Sequence, residues 1–571
     1  MGKTVKVQVP IRFLVMEAED MEKRLFKTII FFLLSLLGVS MIWTSDPVFA
    51  EPPAERKVGK IEFAITTPGY DPIRYDWCVL IAENWKKLGV DVEIKPIETS
   101  VMISEGLKKH DFDTMVLSWG GIPERIDPDY FIFTILDSSQ AAEGRYNMDG
   151  YNNPEYDKWA RKQRVTMNPE KRRRAVFKAQ EIFAHDQPET PVIHQNYIHA
   201  YNSADFDGAI PMMGEGLNSR WNFVSIRPKG SQKLLRYGHP EDVKTLNPMK
   251  MVGLHELAIF RVIYDQLMAL DPEGKVVPWA AKEAKVVNDR TVEVTLRQGM
   301  TFHDGKPVTA DDVKFTFDYL RKWKIGPFVA ALKSLDSVEK TGNLSLVFKL
   351  KEPDASFLGY ALSYVYILPK HIWENIPEKV GLKSPEDWTD WKALAIGSGP
   401  FKYEYWRRGE EMKLVRHEGH FSKPKIEGIL RIVFGDMQSL VMALQKREID
   451  LVGWNLSPLQ AKTLKSNRSI TVANVPNHGF FPIHYNCRKK PFDHVAFRRA
   501  LACCIPKKRI VEEFYEGYAV EAQSTIGPMN KFWHNPNIEK FDLDLEKARK
   551  TLKDAGYEWD SKGKLYYPKG K

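Results

Sequence analysis

Along this chain, short continuous or alternating apolar runs give way to longer stretches with apolar positions three and four apart. These are the two periods of strand and amphipathic helix. From Lys60 the pattern reads as a strand in KIEFAIT (60–66) and a helix in RYDWCVLIAENWKKLG (74–89), stopped by Gly89. A strand in VDVEIKPI, a helix in SVMISEGLKKHD and a strand in FDTMVLSW follow. PEYDKWARKQR and PEKRRRAVFKAQEIFAHD read as helices, and TPVIHQNYIHAYN as a strand pair. The polar, turn-rich RPKGSQK (227–233) marks a junction.

Beyond the junction the style repeats without the sequence repeating. KLLRYGH, RTVEVTLRQ, LSLVFKLKE and IDLVGW read as strands; TADDVKFTFDYLRKWK, MQSLVMALQKRE, HVAFRRALACCI and LDLEKARKTLKDAG read as helices. Thr309 is placed to cap the first of these helices, with Asp311 and Asp312 in its first turn. Alternation of this kind predicts an α/β fold with open sheets. Leu565–Tyr567 then reads as a strand and Pro568, Lys569 and Gly570 as a turn, yet no partner strand follows in the sequence.

The chain has 571 residues, 43% of them hydrophobic and 27% charged, an ordinary composition with material for large cores and about three or four domains. The net charge of +9 comes from acidic and basic residues mixed all along the chain, which reads as a solvated surface and gives no nucleic-acid footprint. Lys23, Arg24 and Lys27 precede the apolar run TIIFFLLSLLGVSMIW (28–43) and then TSDPVFA (44–50), the order of a secretory signal peptide with a cut after Ala50. That run is shorter than the roughly 20 residues of a spanning helix. Met21 is a second candidate start, and no Cys follows the run to carry a lipid anchor. A periplasmic protein is expected. Such a compartment permits disulfides, but Cys78, Cys487, Cys503 and Cys504 allow several pairings and read best as small buried residues.

No catalytic constellation stands out. HEGH (417–420) spaces its two histidines three apart where a zinc-protease helix needs four, and reads as a surface loop. GSGP (397–400) lacks the Lys and the length of a phosphate loop. The carboxylates of DPD (127–129) suit a turn, and His194 and His199 on one strand would point to opposite faces. The chain is read as a non-enzyme, with no cofactor and no metal site.

Several stretches together are similar to one family. RTVEVTLRQGMTFHDGKPVTADDVKFTFDYL (290–320) closely resembles the signature of extracellular solute-binding proteins of the dipeptide/oligopeptide (family 5) type of ABC importers, in its Phe302–Gly305 and Thr309–Val313 segments above all. The resemblance extends to TLNP (245–248), GSGPFKYEYW (397–406), REIDLV (447–452) and KPFDHVAFRRAL (490–501). It also takes in KKLGVDVEI, HDFDTMVLSWGG, DPDYF and GYNNPEYD in the first half. The order differs from the family's: motifs of its last third occupy 58–226 here, and its N-terminal motifs begin near 234. The chain resembles a circular permutation, with 227–233 joining what are two ends elsewhere. New ends at an exposed loop disturb few buried hydrogen bonds.

The resemblance implies an α/β, two-lobed periplasmic-binding-protein clamp (type II-like) with an extra domain, circularly permuted. After an N-terminal extension and signal peptide (1–50), lobe two combines 58–193 with 481–571. Lobe one combines 194–262 with 396–480, and 263–395 is the extra domain. It further implies a monomer that passes a peptide or other small-molecule ligand to the membrane subunits of an ABC permease. The expected cleft stretches are MVGLHE (251–256), GWN (453–455) and SWGG (118–121). The candidate ligand-binding residues in them are Gly253, Leu254, His255, Trp454, Asn455, Trp119, Gly120 and Gly121. One departure matters. Where peptide binders of the family carry an Asp for the ligand's α-amino group, this chain has Ile122, followed by Glu124 and Arg125. That leaves a non-peptide solute (an oligosaccharide, for which the 15 Trp would suit, or a metal complex) and an exported receptor or chaperone-like clamp as alternatives.

Overall fold

The computed structural model describes residues 52–250 and 253–570. The signal-peptide pattern, its cut after Ala50, and Met251 therefore lie outside the described residues. Among the described residues no helix is long and apolar enough to cross a membrane.

Strand Ile61–Thr66 is buried at every position but Glu62, as a strand covered on both faces should be. It pairs in parallel with Val92–Ile97 and with Thr114–Val116. Helix Pro72–Lys87 makes the first crossover. The Asp71 carboxylate accepts from the Arg74 N–H at 3.0 Å, Pro72 opens the helix, and Gly89 follows it at φ +96°. Trp77, Cys78, Ile81 and Trp85 share its buried face, and Trp85 packs on Phe63 with ring centroids 5.0 Å apart. Phe481–Tyr485, Glu189–Gln195 and Ala519–Glu521 extend this sheet to six strands by antiparallel pairing. Val58, Phe63, Trp85 and Val92 accordingly share one core with Tyr485, Phe497, Leu552 and Leu565.

A second sheet has seven strands in the order Phe401–Arg407, Glu411–Arg416, Gly428–Val433, Leu234–His239, Leu451–Val452, Tyr197–Asn202 and Ile470–Val475. A third, four-stranded and antiparallel, joins Ala281–Asn288, Thr291–Leu296, Ser345–Leu350 and Leu335–Lys340 beside helix Ala310–Trp323. Thr309 caps that helix as its sequence suggests, its N–H donating to Asp312 Oδ2 at 2.9 Å. The α/β reading thus holds, with several separate sheets.

TPVIHQNYIHAYN is not a paired hairpin. Glu189–Gln195 belongs to the six-stranded sheet and Tyr197–Asn202 to the seven-stranded one, with Asn196 between them. His194 and His199 therefore sit on different sheets, not on two faces of one strand. The chain crosses back between Val475 and Phe481, and the Asn196 side-chain amide donates to Asn474 Oδ1 at 2.9 Å, tying the two crossings together.

The strand Leu565–Tyr566 has partners on both sides. Glu558–Trp559 pairs with it on one side. On the other, Val58 N–H donates to Leu565 O at 2.9 Å and Tyr567 N–H donates to Arg56 O at 2.7 Å. Arg56 also forms an ion pair with Glu558 at 2.9 Å. The first described residues and the last are thus laced into one small ladder. At 227–233, Arg227–Pro228 pairs briefly with Phe206–Asp207, and Lys229, Gly230 and Ser231 are exposed.

Candidate functional site

The segment that follows strand Thr114–Val116 is held by the segment that precedes Phe481–Tyr485. Trp119 and Phe480 exchange backbone hydrogen bonds of 2.9 and 3.0 Å. Gly121 is required here: a Cβ would lie 1.9 Å from Asn477 Oδ1 and 2.3 Å from Gly479 N. Gly120 is exposed, and its carbonyl accepts from the Arg125 guanidinium at 2.8 Å, which lies 4.2 Å over the Tyr130 ring. Trp119 is 6% exposed. Its indole N–H donates to Glu189 Oε2 at 3.0 Å, and its ring meets Tyr130, Tyr146 and His484 edge-on. The structure thus places Trp119 in the floor beneath this segment.

Ile122 is half-buried, and its carbonyl lies 2.7 Å from His478 Nε2. Burial pushes His478 down to about 3, so it stays neutral. The carboxylates of Asp127 and Asp129 are engaged elsewhere. Both Asp127 oxygens accept from Arg172, at 2.6 and 2.7 Å. Asp129 pairs with Arg164 at 2.9 Å and accepts from Gln163 at 2.6 Å. The DPD stretch is a turn, as its chemistry suggests, with Asp129 N–H donating to Asp127 Oδ1 at 2.9 Å, and it is also an ion-pair centre.

On the seven-stranded sheet, Trp454 is 36% exposed and its ring lies 5.3 Å from His239. Gly453 leaves room for Tyr237, which a Cβ would meet at 2.5 Å, and its carbonyl accepts from Asn218 at 2.6 Å. Asn455 is spent on structure: Oδ1 accepts from Ile198 N–H at 2.6 Å. Gly253 caps helix Leu254–Ile263, donating to Glu256 Oε2 at 3.0 Å. The side chains of Leu254 and His255, like that of Glu124, lie outside the described residues.

Beside these segments lies a small recess, partly open to solvent, with a cavity volume of about 20 Å³. Pro123 lines it from the SWGG side, Glu215 from a loop and Arg220 from the start of helix Arg220–Ser225, and Arg261 and Gln266 from helix Leu254–Ile263 and its exit. Arg261 pairs with Glu215, each side chain 6% exposed. Arg220 donates to Gln266 and lies 4.5 Å over the Trp279 ring. Arg220 also interacts electrostatically with the buried Asp265 carboxylate, so two guanidiniums and two carboxylates gather here. The sequence reading missed Arg220, Glu215 and Arg261, because isolated charges in loops and helices read as surface residues until the fold buries them.

HEGH is not a surface loop. His417 and His420 are 7% and 3% exposed. His420 Nε2 lies 3.1 Å from the buried Asp265 carboxylate, and His417 Nδ1 lies 3.1 Å from Gly399 O. GSGP is a packing device, since a Cβ at Gly397 or Gly399 would meet the backbone of Ile263 or Val262 within 2.6 Å. The four cysteines are free thiols, and burial pushes Cys487 and Cys503 up to about 11.

A sequence model of the bacterial extracellular solute-binding proteins, family 5, matches residues 48–143 and 275–571. The chain is 30% identical over 270 residues to the oligopeptide-binding protein AppA of Bacillus subtilis (strain 168), covering 46% of this chain and 48% of that protein. It is 27% identical over 310 residues to the dipeptide-binding protein of Escherichia coli (strain K12), covering 50% and 56%. The chain thus spans about half the length of the curated relatives it matches. Among solved structures, the Bacillus subtilis AppA complex with a nonapeptide is 25% identical with a TM-score of 0.44, covering 60% of this chain and 68% of that one.

Proposed function

The chain belongs to the bacterial extracellular solute-binding proteins, family 5, and from that premise we propose that it captures a peptide-like solute between its two large sheets. It hands that solute, unaltered, to the membrane subunits of an ABC importer. In this reading the lobes are 58–193 with 481–571 and 194–262 with 396–480, the extra domain is 263–395, and the exported chain acts as a monomer after removal of 1–50. The paired crossings at Asn196 and Asn474 serve as the hinge about which the lobes close.

The observation that carries the reading is the recess at Pro123, Arg220 and Arg261, where segments of both sheets and of the chain leading to the third meet. Two buried guanidiniums offer planar donor forks that suit a carboxylate, the group that every free peptide C-terminus offers. Closing the lobes would remove water and strengthen that pairing. No carboxylate stands at Ile122 for the other end of the ligand, so recognition rests on the carboxyl end and the extended backbone.

Isothermal titration with one tripeptide and its C-terminal amide tests this. A charge-assisted contact is worth roughly 1.5–3 kcal/mol, so the free acid should bind about 10- to 100-fold more tightly. Equal affinity for acid and amide would remove the carboxylate role from Arg220 and Arg261. N-terminal sequencing of the exported chain should begin at Glu51, and an intact, membrane-held 28–43 segment would contradict the export reading.

A further inference from the structure

Beneath Trp119, three ionisable side chains meet without solvent. Asp149 is 1% exposed, and Glu189 and His484 are each 0%. The fold brings them from three places. His484 and Glu189 face each other across the antiparallel pair Phe481–Tyr485 and Glu189–Gln195, and Asp149 comes from the loop before helix Pro154–Val165. His484 Nδ1 lies 3.1 and 3.2 Å from the two Asp149 oxygens and 3.1 Å from Glu189 Oε2. His484 Nε2 lies 3.0 Å from Leu117 O, an acceptor only, so the proton belongs on Nε2 and Nδ1 faces the carboxylates.

Two features of this cluster are unaccounted for by hydrogen bonding. The first is charge. With an imidazolium, one positive and two negative charges leave a net negative charge in a solvent-free pocket, an expensive arrangement. Arg488, on the adjoining loop, interacts with Asp149 electrostatically, but its hydrogen bonds go to the carbonyls of Met148 and Ala141, not to these carboxylates. The second is Glu189 Oε1, which is buried with no hydrogen-bond partner although Oε2 accepts from Trp119.

A divalent ion in place of the imidazolium proton resolves both. Two carboxylates, a neutral imidazole and M²⁺ sum to zero, and if Glu189 binds the ion through both oxygens, Oε1 gains a partner. Ligands about 2.0 Å from a tetrahedral ion stand about 3.3 Å apart, close to the 3.1–3.2 Å separations here. An imidazole whose second nitrogen donates to a backbone carbonyl is the usual arrangement around a bound transition metal, and one imidazole with two carboxylates suits zinc better than the all-oxygen preference of calcium or magnesium.

We propose that Asp149, Glu189 and His484 form a buried site for a divalent transition-metal ion of the zinc class. The ion is taken up as the chain folds. It pins the loop at Asp149 to the two central strands and, through Glu189, fixes the Trp119 indole under the SWGG segment. Its role is to hold the floor of the cleft.

The test refolds the full chain with Zn²⁺ or Co²⁺, or with chelator, and passes it through a desalting column. Metal content by mass spectrometry and the visible absorption of Co²⁺ are then read. The wild-type chain should retain about one ion per chain, with Co²⁺ absorption of tetrahedral type, and Asp149→Asn and Glu189→Gln should each retain less than about a tenth. Wild-type chain with native near-ultraviolet dichroism but no retained ion would overturn the proposal, leaving a protonated ion cluster. Unchanged retention in both variants would overturn it too, because the ion would then sit elsewhere.

Discussion

On the proposed reading Ile122 bears directly on ligand choice, because it sets an apolar side chain where a carboxylate is expected. A buried ammonium group needs a paired anion. Asp127, the nearest carboxylate in sequence on the C-terminal side whose side chain is described, has both oxygens on Arg172, and Arg125 brings a cation to the same loop. A peptide with a free amine and its N-acetylated counterpart should therefore bind within about tenfold of each other, or about 1.4 kcal/mol, in paired titrations. A hundredfold preference for the free amine would show an acid anchoring it after all. Histidines carry the second prediction at this scale. Burial pushes His194, His199 and His303 from the ordinary 6.5 down to about 4. His199 Nδ1 must accept from Leu217 N–H at 2.8 Å, which requires the neutral ring. Below about pH 6.5 the unfolded chain takes up protons at these positions that the folded chain refuses until near pH 4. Stability is thus full above about pH 6.5 and falls toward pH 4, by roughly 1.4 kcal/mol per pH unit for each such histidine. Urea midpoints should drop between about pH 7.5 and about pH 5; a midpoint that rises would contradict this. Such residues were the least legible in the sequence. HEGH looked like a loop because its partner, Asp265, lies far along the chain. Trp119 could be weighed between core and ligand, but its bond to Glu189 depends on a strand pairing that no local pattern reveals.

Elements were far more legible, because period and caps are local. The helix Ala310–Trp323 begins at the Thr309 cap its sequence offers, Pro169–Asp186 spans the segment read as helical, and Pro72–Lys87 begins and ends two residues before the span read from spacing. Legibility failed where two strands adjoin in sequence but not in space. Glu189–Gln195 and Tyr197–Asn202 look like a hairpin since both are apolar, yet only Asn196 separates two different sheets. The unpartnered C-terminal strand was the opposite case: its turn residues foretold a neighbour, which the fold supplies from residues 56–58. Leu565 is 1% exposed and packs in the core that Val58 and Trp85 share. Leu565→Ala should cost about 2–4 kcal/mol, the usual range for a buried leucine. A loss below about 0.5 kcal/mol in urea unfolding would mean that the ladder between the two ends of the chain bears no load.

For the whole molecule, we propose that the chain is a circular permutation of the family's usual order, its original ends joined at 227–233. The six-stranded sheet interleaves strands from 61–195 with strands from 481–521. A chain reopened between Lys229 and Ser231, with its present ends joined by a short linker, should fold with the same near-ultraviolet dichroism and bind ligand within about threefold of the original. Loss of cooperative unfolding would argue that the present order is needed. The central claim, that this chain is a carrier of peptide-like solutes, meets its most direct test in native mass spectrometry of protein released from its own periplasm. The account predicts a chain beginning at Glu51 that carries one peptide, or a family of peptides, per molecule. A chain released with an oligosaccharide or a metal complex, or empty and unresponsive to added peptides, would contradict it.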